Sequence, residues 1–144
     1  MKRFRFRLES VLRWRQTLEG IEQEKLRNLN ARLHDLERAR AEIEQLRRRL
    51  PGEVARRSGV SGAELAALDA YLRRLGAIEE ELRQQRVQLH KQVEAQQQAV
   101  LEARRKVRLL ERLKARRLAD WQAELARETE RVAADNYLAR WRRQ

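Results

Sequence analysis

Chain breakers are crowded into one short window. The only proline and three of the five glycines lie in Pro51-Gly52, Ser58-Gly59 and Ser61-Gly62, whereas Gly20 and Gly76 stand alone. Residues of this kind punctuate regular structure, so the spacing predicts two long uninterrupted segments joined by one loop at about 51–62. Ala, Glu, Lys, Leu and Arg make up 93 of the 144 residues, a bias that belongs to long helices or coiled coils when a matching period accompanies it. Eight Val, three Ile and two Thr leave too few β-formers for a sheet. The expected fold class is all-α: two long helices in an antiparallel coiled-coil hairpin, with the second helix overhanging.

The period is present. In the second segment Leu68, Leu75, Leu82, Leu89, Gln96, Ala103 and Leu110 hold one heptad position, and Leu72, Glu79, Arg86, Val93, Val100 and Val107 hold the other. Alternating steps of three and four residues over that length define a coiled-coil seam. The register then shifts to Leu113, Leu118, Trp121 and Leu125. In the first segment Val11, Trp14, Leu18 and Ile21 share a face, but Leu26, Leu29, Leu33 and Leu36 repeat the rhythm from a shifted start. That reads as a slip that alters coiled-coil winding without ending the helix. Ser61-Gly62-Ala63-Glu64 has capping-box spacing. The expected organisation is a single hairpin over 1–144, with helix one at about 8–50 and helix two at about 63–140. A turn centred near residue 57 puts residue i opposite residue 114 minus i, so that Leu36 meets Ile78 and Leu8 lies near Lys106. About the last 30 residues, with Trp121, Leu125, Val132, Leu138 and Trp141, would then lack an intrachain partner.

The 34 Lys and Arg outweigh 22 Asp and Glu, for a net charge of +12. Such a balance invites a nucleic acid or an acidic membrane surface as partner. Runs such as Arg47-Arg48-Arg49 and Arg104-Arg105-Lys106 wrap around a helix instead of forming a stripe, because successive residues point about 100° apart. Interspersed acids, as at Glu79-Glu80-Glu81, fit a solvated exterior laced with exchangeable ion pairs. This speaks against nucleic acid as the partner. The chain ends differ, since Lys2, Arg3, Arg5, Arg7, Arg140, Arg142 and Arg143 alternate with Phe4, Phe6, Tyr137 and Trp141. Arginine and large aromatics are enriched at interface hot spots. For Phe4 and Phe6, simple packing on the start of helix one is an equal alternative. The absence of cysteine suits a reducing compartment. No apolar stretch reaches the length of a membrane span, and the basic start lacks the apolar region of a secretory signal. The expected setting is cytoplasmic.

Chemistry is sparse. His34 and His90 lack the Glu-x-x-His spacing of helix-bundle metal sites. No phosphate-cradling glycine loop and no nucleophile elbow is present. The expectation is no enzyme, no catalytic, cofactor or metal residues, and no small-molecule substrate.

The opening Phe4-Arg5-Phe6-Arg7-Leu8-Glu9-Ser10-Val11-Leu12-Arg13-Trp14-Arg15 resembles the start of the flagellar export protein FliJ family, whose members show F-x-F-x-L-x-x-V-L-x-x-R before a Glu-rich helix. Ser61-Gly62-Ala63-Glu64-Leu65 with Tyr71-Leu72, and Leu110-Glu111-Arg112-Leu113-Lys114, look like the family's middle and pre-C-terminal stretches; Asp135-Asn136 departs from its usual Asp-Glu. The resemblance implies a non-enzymatic stalk of the bacterial type III export apparatus, similar to the central stalk of rotary ATP synthases and peripherally associated with the inner face of the membrane. Its implied partners are the hexameric export ATPase FliI, the cytoplasmic domain of the export gate FlhA, and export chaperones. Carried onto this chain, the ATPase-facing candidates are Arg5, Leu8, Leu12, Arg13, Arg15 and Trp121, and the gate-facing candidates are Tyr71, Leu72 and Leu75. Two other readings stay open: a basic coiled-coil nucleic-acid binder, and a structural coiled coil that self-associates through residues 110–144.

Overall fold

The computed structural model describes residues 2–143; Met1 and Gln144, the outermost residues of the expected hairpin, lie outside the described residues. The architecture is all-α, with α1 over Glu9–Ala55 and the longer α2 over Gly62–Trp141. The chain divides into two compact units, one of 1–21 with 101–144 and one of 22–100.

In the 22–100 unit the helices run antiparallel. Leu36 on α1 and Leu75, Val93 and Val100 on α2 are buried between them. Cross-helix polar contacts flank this seam: Arg86 Nη2 lies 3.4 Å from Glu37 Oε1, and the Arg47 guanidinium pairs with Glu79. Gln96 Nε2 donates both to the Glu22 carbonyl at 2.9 Å and to its Oε2 at 2.5 Å. Polar residues read from the sequence as weak points of the seam, Glu79, Arg86 and Gln96, are thus the residues that bond across it. Such contacts define register more than they add stability.

The unit holding 1–21 and 101–144 is built alike. Leu12 and Val107 are buried, and Lys114 Nζ–Glu9 Oε2 (2.9 Å) and Arg104 Nε–Glu19 Oε1 (3.3 Å) cross between the helices. Beyond Leu125 every described residue is exposed, including Val132, Tyr137, Leu138 and Trp141. The wholly exposed stretch is therefore shorter than the overhang the sequence register implied.

Three features differ from the sequence reading. First, α1 runs through Pro51 to Ala55 instead of ending near Leu50. Pro51 deletes one N–H, but the last turn still closes through Arg56 N–H to Gly52 O and Arg57 N–H to Val54 O, both 3.2 Å. The chain reverses at Gly59, whose φ of +84° is the left-handed conformation that glycine tolerates. Second, the pairing is offset. In Glu9–Lys114, Glu19–Arg104 and Glu37–Arg86 the paired residue numbers total 123, not 114. Leu36 lies near the level of Arg86 rather than of Ile78, and Leu8 faces the level of Lys114 rather than Lys106. The cause is at the turn, where α1 is longer and every residue at the start of α2, from Gly62 to Ala67, is exposed. Third, α1 shows no slip between Leu12 and Leu36. Its inward positions run Leu12, Arg15, Glu19, Glu22, Leu26, Leu29, Leu33 and Leu36, one unbroken three–four alternation, while Val11, Trp14 and Ile21 turn outward. Spacing of apolar residues misled because Glu19 and Glu22 find cross-helix partners and so take seam positions themselves.

The hydroxyl half of the capping box before α2 forms. Ser61 Oγ accepts from the Glu64 N–H at 3.2 Å and Ser61 O accepts from Leu65 N–H, which satisfies donors that a helix start leaves orphaned.

Candidate functional site

Charge is distributed unevenly. The unit with both chain ends carries 19 Lys and Arg against 9 Asp and Glu, whereas the 22–100 unit carries 15 against 13. Nearly all the net positive charge therefore belongs to one unit. Its field attracts anionic partners over about a Debye length, roughly 8 Å at physiological salt.

Residues 2–8 precede α1 and lie against α2 within this unit. Phe4 and Phe6 are half-buried while Arg3, Arg5 and Arg7 are exposed, the alternation of an extended segment. The Phe4 and Trp121 rings meet at 6.0 Å between centroids with a 52° tilt, and Trp121 Nε1 donates to the Lys2 carbonyl at 3.1 Å. A cleft of about 920 Å³ opens beside this contact, lined among others by Arg5, Leu8, Leu113, Arg117 and Trp121. Glu9 N–H donates to Phe6 O (3.2 Å), so the segment turns directly into α1. Phe4 thus packs on Trp121 of α2 rather than on the start of α1.

The other candidates separate by exposure. Arg5 and Arg13 are exposed, with Arg13 Nε 4.0 Å from Glu9 Oε1. Arg15 is half-buried and its guanidinium stacks 4.6 Å from the centroid of Trp14, a cation–π contact. Leu8 is partly exposed at the edge of the cleft. Leu12 is buried in the seam, so a partner reaches it only by parting the helices. In the 22–100 unit Tyr71 is exposed, Leu72 half-buried and Leu75 buried. Only Tyr71 of these three presents a substantial surface.

Sequence spacing missed one surface feature. Trp14, 54% exposed, together with Val11 and Ile21, forms an apolar strip on the open side of α1. A tryptophan flanked by Arg13 and Arg15 was the available signal.

Among the described residues, the Glu22 carboxyl is displaced from its ordinary ionisation. The hydrogen bond from Gln96 is the largest influence and holds the carboxyl below its ordinary value of 4.5; partial burial opposes it, and Lys25, 3.4 Å away, assists. His34 and His90 are exposed. Among the described residues no group of three His, Cys, Asp or Glu is placed to hold a metal, and no helix is long and apolar enough to cross a membrane.

Two antiparallel helices with basic, aromatic-bearing ends and shallow clefts define the class of all-α helical hairpins. A profile described as flagellar FliJ protein matches residues 4–143. The chain belongs to the flagellar FliJ family, non-catalytic proteins with a role related to flagellar export. No curated protein and no solved structure matches it.

Proposed function

We propose that this chain is a stalk-like coupling component of the flagellar export apparatus that engages the hexameric export ATPase through the unit carrying both chain ends. The observation that supports this most directly is the concentration of positive charge and exposed aromatics in that unit. Arg5, Arg13 and Arg15 make the charged contacts, Leu8 supplies an apolar edge, and Leu12 and Trp121 hold the surface in shape. Tyr71, with Leu72 and Leu75 behind it, faces the cytoplasmic domain of the export gate, and export chaperones are further partners. The protein acts in the cytoplasm, at the inner face of the membrane, and catalyses nothing itself. Mixing the full chain with the purified ATPase tests the reading: hydrolysis and hexamer formation both rise. Charge reversal at Arg5, Arg13 and Arg15 together lowers the gain, increasingly so as salt falls. No change in either readout on adding the unaltered chain refutes the proposal.

A further inference from the structure

Elsewhere in the chain, exposed basic residues are repeatedly answered by a carboxylate three or four positions away. Glu9–Arg13, Glu44–Arg48, Arg49–Glu53, Asp69–Arg73 and Glu80–Arg83 are such pairs. On α2 between 101 and 119 the pattern thins to the single pair Glu102–Arg105, in a stretch with eight Lys and Arg against two Glu. Arg104, Arg108, Arg112 and Arg116 follow one another at four-residue steps. Like charges at that spacing are neighbours on a helix surface and destabilise it. Arg104 and Arg105 have partners in Glu19 and Glu102, but Arg108, Arg112 and Arg116 meet no carboxylate within ion-pair distance among the described residues.

The same face is not only charged. Leu101 and Leu109 are 50% and 60% exposed, and with Arg104, Arg105, Arg108 and Arg112 they line a shallow depression of about 360 Å³. The two leucines are eight residues apart, about 12 Å along the helix. Folding gains nothing from two exposed leucines inside a ladder of mutually repelling guanidiniums.

We infer that the outer face of α2 from Leu101 to Arg116 is a docking surface for an acidic amphipathic helix of another protein. Carboxylates on that helix answer the unpaired arginines, and its apolar stripe covers Leu101 and Leu109, as a third strand does in a coiled coil. The leucines favour a helix over phosphodiester backbone, which offers them nothing apolar. Charge disfavours a second copy of this chain, because neither of its units is acidic: one has 19 basic against 9 acidic residues, the other 15 against 13. The inference stands apart from the ATPase reading: these residues lie in the same unit, but none is among Arg5, Leu8, Leu12, Arg13, Arg15 and Trp121, whose contacts that reading invokes.

The test uses the full chain and a synthetic helix of roughly 20 residues with heptad-spaced leucines flanked by glutamates. A peptide of identical composition in scrambled order and a short duplex DNA serve as comparisons, all at roughly 0.15 M salt. The patterned helix binds saturably and the scrambled one about tenfold more weakly. The double substitution Arg108→Glu with Arg112→Glu weakens binding at least about tenfold while the chain melts no lower, because repulsion along α2 has been relieved. Leu101→Ala with Leu109→Ala leaves charge unchanged and also weakens it. Equal binding of the scrambled peptide overturns the inference. So does tighter binding of the duplex that is lost in the arginine variant, and so does self-association of the chain abolished by either pair of substitutions.

Discussion

Gly20, Gly59 and Gly76 give an internally controlled perturbation, because the same substitution has opposite expected signs in one chain. Gly20 lies within α1, and a Cβ built there meets nothing within 4 Å. Gly76 lies within α2, where a Cβ sits 3.6 Å from Arg47 Nη2 and 3.8 Å from its Cζ, ordinary contact with the end of a flexible side chain. Both positions are helical, so alanine removes unfolded-state entropy without strain and stabilises by about 0.5–1 kcal/mol each. At Gly59, open space is irrelevant: the φ of +84° forces alanine into the left-handed region, which costs about 1–2 kcal/mol. For a chain of this size about 1 kcal/mol moves the thermal midpoint by roughly 2–4 °C. Circular dichroism melts should therefore show Gly20→Ala and Gly76→Ala each raising the midpoint by a few degrees. The two effects should add, since the sites lie in different units and share no contact partner. Gly59→Ala should lower it. A destabilising Gly76→Ala would refute the placement of Arg47 over α2, and a neutral Gly20→Ala would refute helical continuity at the start of α1.

Other outcomes follow from the seam and the N-terminal contact. Gln96→Ala removes the main influence on Glu22, so the Glu22 carboxyl followed by NMR should titrate closer to its ordinary 4.5. Because its folded value is depressed, the stabilisation it provides is present above the ordinary carboxylate range and is lost as pH falls through the lower folded value. Trp121→Phe keeps the ring but deletes the N–H that Lys2 O accepts from, a bond worth about 1 kcal/mol; amide exchange over residues 2–8 should quicken by about fivefold. Leu12→Ala and Leu75→Ala open the two seams and should cost about 2–3 kcal/mol each, whereas Arg5→Ala should stay within about 0.5 kcal/mol. Equal losses from Leu12→Ala and Arg5→Ala in chemical denaturation would contradict the burial pattern.

The second helix was legible residue by residue. All thirteen heptad positions read from Leu68 to Leu110 prove buried or half-buried, and the shifted Leu113, Leu118, Trp121 and Leu125 are half-buried too. The first helix was legible as a helix but not in its facing. Glu19 and Glu22 occupy the seam because Arg104 and Gln96 on α2 meet them, and a single strand of sequence does not display those partners. The register error has a related cause: loop composition gave the position of the turn, but not that α1 tolerates Pro51 near its end or that α2 starts with exposed turns. Trp121 was legible as an aromatic among arginines, yet its bond to Lys2 joins residues 119 positions apart. The unpaired arginines of α2 were visible as letters, but their lack of partners emerges only once every carboxylate has been placed.

Among the described residues no side chain is fully withdrawn from solvent, and the most buried are medium-sized aliphatics set between polar contacts. A compact core resists substitution because each residue touches many others. Here each position answers to a few neighbours across one interface, so a change is felt locally and is easily compensated. A lineage built this way can drift quickly in its letters while keeping its spacing. Kinship in such a protein is carried by the rhythm of the whole chain more than by any one residue, and it is best sought with profiles that weigh every position together.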